Sequence, residues 1–261
     1  MKEKKKRPAG PLRPRPGSLE FLDANLMLGR WTEQALLFHD RAGLEAELAR
    51  HRVSGGLVYH SWARHYDPAE GNRQLWRELA GAAGLYPAAV LLPFATGEFK
   101  PEELAGAVRA KRIRAVRLFP VEHRYTLADW NCASLFDFLA EYRLPTFLEL
   151  NQADWNEAAR ILGRYPGLPL VIAATGYRHG RILYPLLEKF SNLYLETSAY
   201  VTYEGIEDIC RRFGSGRLLF GSRAPFMDLG GALARIIYAG IPAADRQAIA
   251  AGNLKRLLGV Q

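Results

Sequence analysis

The chain has 261 residues, 49% of them hydrophobic and 24% charged, with a formal net charge of +8. That size and apolar content suit one large domain or two small ones around a sizeable core. The charge suggests nucleic acid until it is located: Lys2, Lys4, Lys5, Lys6, Arg7, Arg13 and Arg15 meet only Glu3 within residues 1–18, so +6 belongs there and +2 to the rest.

Residues 1–18 are rich in Pro, Lys and Arg and hold no apolar run, so they are expected to form a solvated, disordered basic tail. They lack the apolar stretch of a signal peptide, and no later segment reaches the length of a membrane span. Cys132 and Cys210 are too few and too far apart for a disulfide framework. A cytoplasmic protein without a membrane or nucleic-acid partner is expected.

From residue 19 onward, short apolar runs alternate with helical patterns. The expected strands are Glu20–Asn25, Gly55–His60, Pro87–Leu92, Ala115–Phe119, Thr146–Leu150, Leu170–Ala174, Leu193–Glu196 and Leu218–Gly221. Asp67-Pro68-Ala69-Glu70 reads as an N-cap, a first-turn proline and the acid of a capping box. Pro101-Glu102-Glu103 opens another helix with negative charge in its first turn. Leucines recur at helical spacing at Leu44/Leu48, Leu75/Leu79, Leu135/Leu139 and Leu183/Leu187, and a last helix spans Asn253–Leu258. Eight βα units without a Gly-rich phosphate loop after the first strand predict a single (β/α)8 TIM-like barrel over residues 19–261. Function is then expected at the C-terminal ends of the strands.

Several of those ends carry motifs. Phe21-Leu22-Asp23-Ala24-Asn25-Leu26-Met27-Leu28-Gly29, Leu144-Pro145-Thr146-Phe147-Leu148-Glu149, Leu170-Val171-Ile172-Ala173-Ala174-Thr175-Gly176 and Leu218-Leu219-Phe220-Gly221-Ser222-Arg223-Ala224-Pro225-Phe226 follow one another in the order and spacing of the amidohydrolase-related metal hydrolases, which they resemble. Leu193-Tyr194-Leu195-Glu196-Thr197-Ser198 and Gly252-Asn253-Leu254-Lys255-Arg256-Leu257-Leu258-Gly259 extend the likeness. The resemblance implies an amidohydrolase-type barrel, and self-association through the barrel helices. It also implies metal-ligand positions at Asn25, Met27, Glu149, Ala174 and Arg223, where the family has three histidine strands and an aspartate.

The residue chemistry at those five positions argues against a metal. A hydrolytic zinc site uses about three N, O or S donors and an open water position. Ala174 offers none, Met27 a soft thioether, Asn25 a neutral amide, and Arg223 a permanent cation. Glu149 alone is a good hard ligand, so no catalytic metal and no other cofactor is expected. The Arg223 guanidinium is expected where the metal would lie, with Glu149 as its first candidate partner, Glu196 the second and an anionic ligand the third. Arg117, in the fourth strand, is also expected to reach the mouth.

The expected function is accordingly the binding of a small anionic organic ligand at the C-terminal mouth, by Asn25, Met27, Arg117, Tyr177, Arg178, His179, Glu196 and Arg223. Whether the protein is an enzyme stays open. If it is, a metal-independent hydrolase or decarboxylase would use Glu149 or His60 as base. An interaction protein working through the basic tail is the remaining alternative. His60 could equally make a structural hydrogen bond, and His179 could sit in a merely solvated loop. His65, His123, Cys132 and Ser222 carry weaker signals, and the aromatics Trp62, Tyr66, Trp130, Trp155, Tyr177 and Tyr200 either line a pocket or cover loop cores.

Overall fold

The computed structural model describes residues 19–261; the segment 1–18 lies outside them, and with it the expected basic tail. Eight parallel strands form one sheet in sequential order, β1 (Leu22–Leu28), β2 (Gly55–His60), β3 (Leu85–Val90), β4 (Ala115–Leu118), β5 (Thr146–Glu149), β6 (Leu170–Ala173), β7 (Leu193–Glu196) and β8 (Leu218–Leu219). The sheet curls into a nearly closed barrel. Ala24 N donates to Phe220 O at 2.9 Å and Met27 N to Ala224 O at 3.0 Å, which brings the last strand back to the first. Asp23 Oδ1 adds a bond from Ser222 N at 3.1 Å. No described helix is long and apolar enough to cross a membrane.

Strand alternation sets up two cores. Leu22, Ala24, Leu57, Tyr59, Ala88, Val90, Ala115, Phe147, Val171 and Leu219 fill the barrel interior. Leu26, Leu28, Val58, Ala89, Val116, Leu118, Leu148, Ile172 and Leu195 point outward and pack under the helices. The register of β1 against β2 slips between Asp23 and Leu26. This bulge breaks the alternation, so that Asn25 reaches the interior right after Ala24.

The helical layer comprises α1 (Arg41–His51), α2 (Ser61–His65), α3 (Pro68–Glu78), α4 (Pro101–Arg109), α5 (Asp129–Glu141), α6 (Trp155–Arg164), α7 (Gly180–Lys189), α8 (Gly205–Phe213), α9 (Leu229–Ile237), α10 (Ala243–Gln247) and α11 (Asn253–Leu258). Asp67 caps α3 as expected, accepting from Glu70 N at 2.8 Å. The reciprocal half of that capping box is not made, because the Glu70 carboxylate turns to Arg73 and Arg77. A complete capping box does form at α6, between Asp154 and Glu157.

Six strands differ from expectation in their limits: β4, β5 and β6 each end one residue early, and β1, β3 and β8 differ by more. The first strand runs on to Leu28, because pairing to β2 resumes beyond the bulge at Leu26, Met27 and Leu28. The third begins before Pro87, whose carbonyl still accepts from Arg114 N at 3.0 Å although the residue has no N–H to donate. The eighth stops at Leu219, where Phe220 N turns to Ile249 O.

Gly71 lets α3 cross α2 closely. A Cβ there would lie 2.1 Å from Ala63 N and 2.4 Å from Ala63 Cα. Gly→Ala inside a helix ordinarily stabilises by roughly 0.5–1 kcal/mol. Here Gly71→Ala is expected to destabilise by about 2 kcal/mol through overpacking, read as a lowered urea midpoint. A midpoint at or above that of the native chain would show that the α2–α3 crossing has room to spare.

Candidate functional site

The strand ends hold a continuous line of buried charges. Arg117 on β4 is 1% exposed and points into the barrel, its guanidinium 4.4 Å from the centre of the Tyr59 ring and 5.1 Å from that of Phe147. Its Nη2 donates to Asn25 Oδ1 at 2.7 Å. The Asn25 amide nitrogen donates in turn to Glu196 Oε2 at 2.8 Å, and Glu196 also accepts from the Ser198 hydroxyl at 2.7 Å and from Ser198 N. On its other side, Arg117 Nη1 lies 3.9 Å from Glu149 Oε1. Glu149 accepts from Arg64 Nη1 at 3.2 Å, and Arg64 donates from Nε (2.9 Å) and Nη2 to Glu122. Four carboxyl or amide groups and two guanidiniums thus alternate across the mouth.

Local geometry makes this line possible. Gly221 leaves space for the Glu196 carboxyl, since a Cβ there would fall 2.1 Å from its Oε1. The β1 bulge delivers Asn25 between Arg117 and Glu196. Burial lowers the pKa of Arg117, against the upward pull of its Tyr59, Glu149 and Glu196 neighbours. Burial acts on Arg64 in the same direction, but Tyr59, Glu149 and Glu122 outweigh it and raise its pKa. Desolvation raises Glu196, although its hydrogen bonds from Ser198 and Asn25 oppose the shift. It also pushes the fully buried Asp23 up to about 6, against opposing hydrogen bonds from Ser222 and Asn25.

The expected pairing of Arg223 with Glu149 is not what the structure shows. Arg223 makes no ion pair among the described residues; its guanidinium sits 5.9 Å from the centre of the Phe226 ring at the rim. The reason is topological. β8 has ended by Leu219, and at Arg223 the backbone turns through a left-handed conformation (φ 62°), so the side chain leaves from a turn and not from an inward strand position. The cation beside Glu149 and Asn25 is instead Arg117.

His60 is likewise outside the mouth. Tyr59 holds the inward position on β2, so His60 faces the helix layer, with Nε2 3.5 Å from Glu78 and Nδ1 accepting from Trp62 N at 3.1 Å. Its role as a base is replaced by that of an N-cap for α2. Met27 is buried in the barrel interior next to the charged line. Tyr177 and Arg178 stack on each other at an exposed rim (5.0 Å), and His179 lies 3.4 Å from Trp155 Nε1. Tyr177, Arg178 and His179 make no hydrogen bond or ion pair to the Asn25–Arg117–Glu149–Glu196 line.

Sequence reading did not single out Arg64, Glu122 or Asp23. Arg64 sits on a five-residue helix with no pattern to mark it, and Glu122 on a turn after β4. Asp23 could have been found from the likeness itself, as the acid that opens the first motif.

The fit of a divalent cation can be judged from these donors. Asn25 is hydrogen-bonded at both amide atoms, Glu149 is held by Arg64, Ala174 has no donor, and Arg223 stands at the rim. Among the described residues, no three His, Cys, Asp or Glu side chains are placed to share an ion. A guanidinium within 4 Å of Glu149 would also repel a metal there. The donor set does not fit.

The sequence profile of the amidohydrolase family matches residues 36–260. No curated protein matches the sequence significantly. Among solved structures, the chain is similar to 2,6-dihydroxybenzoate decarboxylase from Rhizobium, with a TM-score of 0.72 and 13% identity over 93% of this chain and 99% of that one. A dihydroxybenzoic acid decarboxylase from a Polaromonas species, with bound manganese and the inhibitor 2-nitroresorcinol, gives 0.69 and 15% over 93% and 97%. Dihydroorotase from Campylobacter jejuni gives 0.64 and 14% over 93% and 84%.

Proposed function

The chain belongs to the amidohydrolase family, and within that family we propose that it is a metal-free member whose barrel mouth binds a small organic anion directly on protein cations. One observation carries the reading. Arg117 is fully buried, yet its Nε and Nη1 have no hydrogen-bond partner. Buried donors left unpaired cost about 1–3 kcal/mol each, more when charged. A carboxylate ligand would supply an acceptor to either donor; the two lie on different edges of the planar guanidinium. Glu149, already held by Arg64, fixes the position of Arg117, and Asn25 fixes its rotation.

A second reading, metal-independent decarboxylation, has support in Asp23 and Glu196. Both are fully buried with raised pKa values, Glu196 in the line at the mouth and Asp23 against the Asn25 and Ser222 backbone, so they hold a proton closer to neutral pH than ordinary carboxyls do. A decarboxylation needs such a donor for the carbon that loses CO2. 2,6-Dihydroxybenzoate, in the name of the Rhizobium enzyme, is the first compound to assay for it.

The test uses protein purified without chelator and exposed to zinc and manganese, followed by elemental analysis. Sub-stoichiometric metal is expected. Chelator-treated protein is then expected to bind benzoate saturably by calorimetry, and Arg117→Lys, which keeps the charge and loses the fork, to bind about tenfold more weakly. Near-stoichiometric metal, or benzoate binding indifferent to Arg117→Lys, would overturn the reading.

A further inference from the structure

Beside the mouth lies a second cavity of about 400 Å³, lined by Arg64, His65, Tyr66, Glu98, Glu122 and His123 among others. Its polar atoms are unevenly satisfied. His123 Nε2 lies 2.8 Å from the carbonyl oxygen of Arg64. A carbonyl can only accept, so Nε2 carries the proton and Nδ1 is a bare lone pair. That Nδ1 is buried without a partner. Burial keeps the His123 pKa below the ordinary imidazole value, so the ring is neutral at pH 7. Glu122 shows the same imbalance: Oε1 takes both bonds from Arg64, while Oε2 is buried and unpartnered.

Both orphaned atoms are therefore acceptors, and what is missing is a donor. Glu98, an exposed carboxylate with no ion pair among the described residues, adds a third acceptor to the lining. The ring of Tyr66, 68% exposed, offers a face to a cation. The opposing charges are Arg64, spent on Glu122 and Glu149, and the exposed Arg124, which can turn toward solvent.

We propose that this cavity binds a small organic amine, whose ammonium donates to Glu122 Oε2 and His123 Nδ1. An ammonium has three donors and no acceptor, which matches the two orphaned acceptors and Glu98. A carboxylate would meet Glu98 and Glu122 and be repelled. Entry requires a local side-chain movement over the two acceptors, because neither is open to bulk water. The site shares Arg64 and Glu122 with the line at the mouth but not Arg117, and the inference does not depend on the anion reading.

Benzylamine is the probe, with benzyl alcohol and benzoate as its neutral and anionic counterparts, titrated by calorimetry and by NMR of the histidine ring protons. Benzylamine is expected to bind saturably, to shift the His123 signals, and to bind at least about tenfold tighter than benzyl alcohol. Glu122→Gln is expected to weaken it about tenfold. Because that change also loosens Arg64, His123→Phe serves as the second variant: it keeps the Arg64–Glu122 pair and removes the Nδ1 acceptor. Absence of saturable benzylamine binding, an equal affinity of benzoate for this cavity, or unchanged binding in both variants would overturn the assignment. Benzoate affinity for the mouth, measured on His123→Phe and on Arg117→Lys, shows a failure of one site apart from a failure of the other.

Discussion

Replacing Glu149 by alanine is expected to lower stability by about 3–5 kcal/mol, the cost of stranding buried charges after one partner is removed. Glu149 stands between Arg64, 3.2 Å away, and Arg117, 3.9 Å away, and both cations are at least nine-tenths buried. Without the carboxylate, two guanidiniums face each other in the mouth. Arg64 keeps Glu122, but Arg117 keeps only the neutral Asn25 as a side-chain partner. Glu149→Gln is expected to lose less, because the amide oxygen still accepts. Guanidinium chloride denaturation of the two variants measures the difference. A Glu149→Ala protein within 1 kcal/mol of the native chain would mean that the line of charges is solvated and contributes little.

The second large effect concerns pH. Asp23 is fully buried and its carboxyl titrates near 6 in the folded protein, against an ordinary value of 3.8. Below pH 3.8 both folded and unfolded chains are protonated there. Between 3.8 and 6 the unfolded chain releases a proton that the folded one retains, so stability falls as pH rises through this window. Above 6 the full penalty, about 3 kcal/mol, is present. Glu196, raised for the same reason, acts with the same sign. Asp23→Asn keeps the oxygen that accepts from Asn25 N and Ser222 N and removes the titration. The stability difference between variant and native protein is therefore expected to move by about 2.5 kcal/mol in the variant's favour from pH 4 to pH 7. Urea melts at half-unit pH intervals report this, and parallel stability curves would refute it.

Gly55–His60, Leu193–Glu196 and Asn253–Leu258 were legible as elements with their observed limits, because an apolar run bounded by turn residues carries its own period. The atoms that Ala174, Met27 and Arg223 can offer were also legible, since residue type alone decides them. The identity of the inner cation was not. Arg117 and Arg223 are both arginines at strand ends, and nothing in their immediate sequence separates them. Inward direction on β4 separates them, as does the left-handed turn that carries Arg223 to Phe226.

The same distinction runs through the rest of the molecule. The sequence by itself determined the family, the βα rhythm and the chemical inventory of the strand ends, since these rest on local period and residue type. The tertiary structure alone decided which of those groups meet. Asn25 joins Arg117 to Glu196 through a bulge, His60 is turned away by the parity of β2, and Arg64 and Glu122 arrive from a short helix and a turn more than fifty residues apart. Such contacts depend on register and closure across the whole barrel, which no local stretch of sequence encodes.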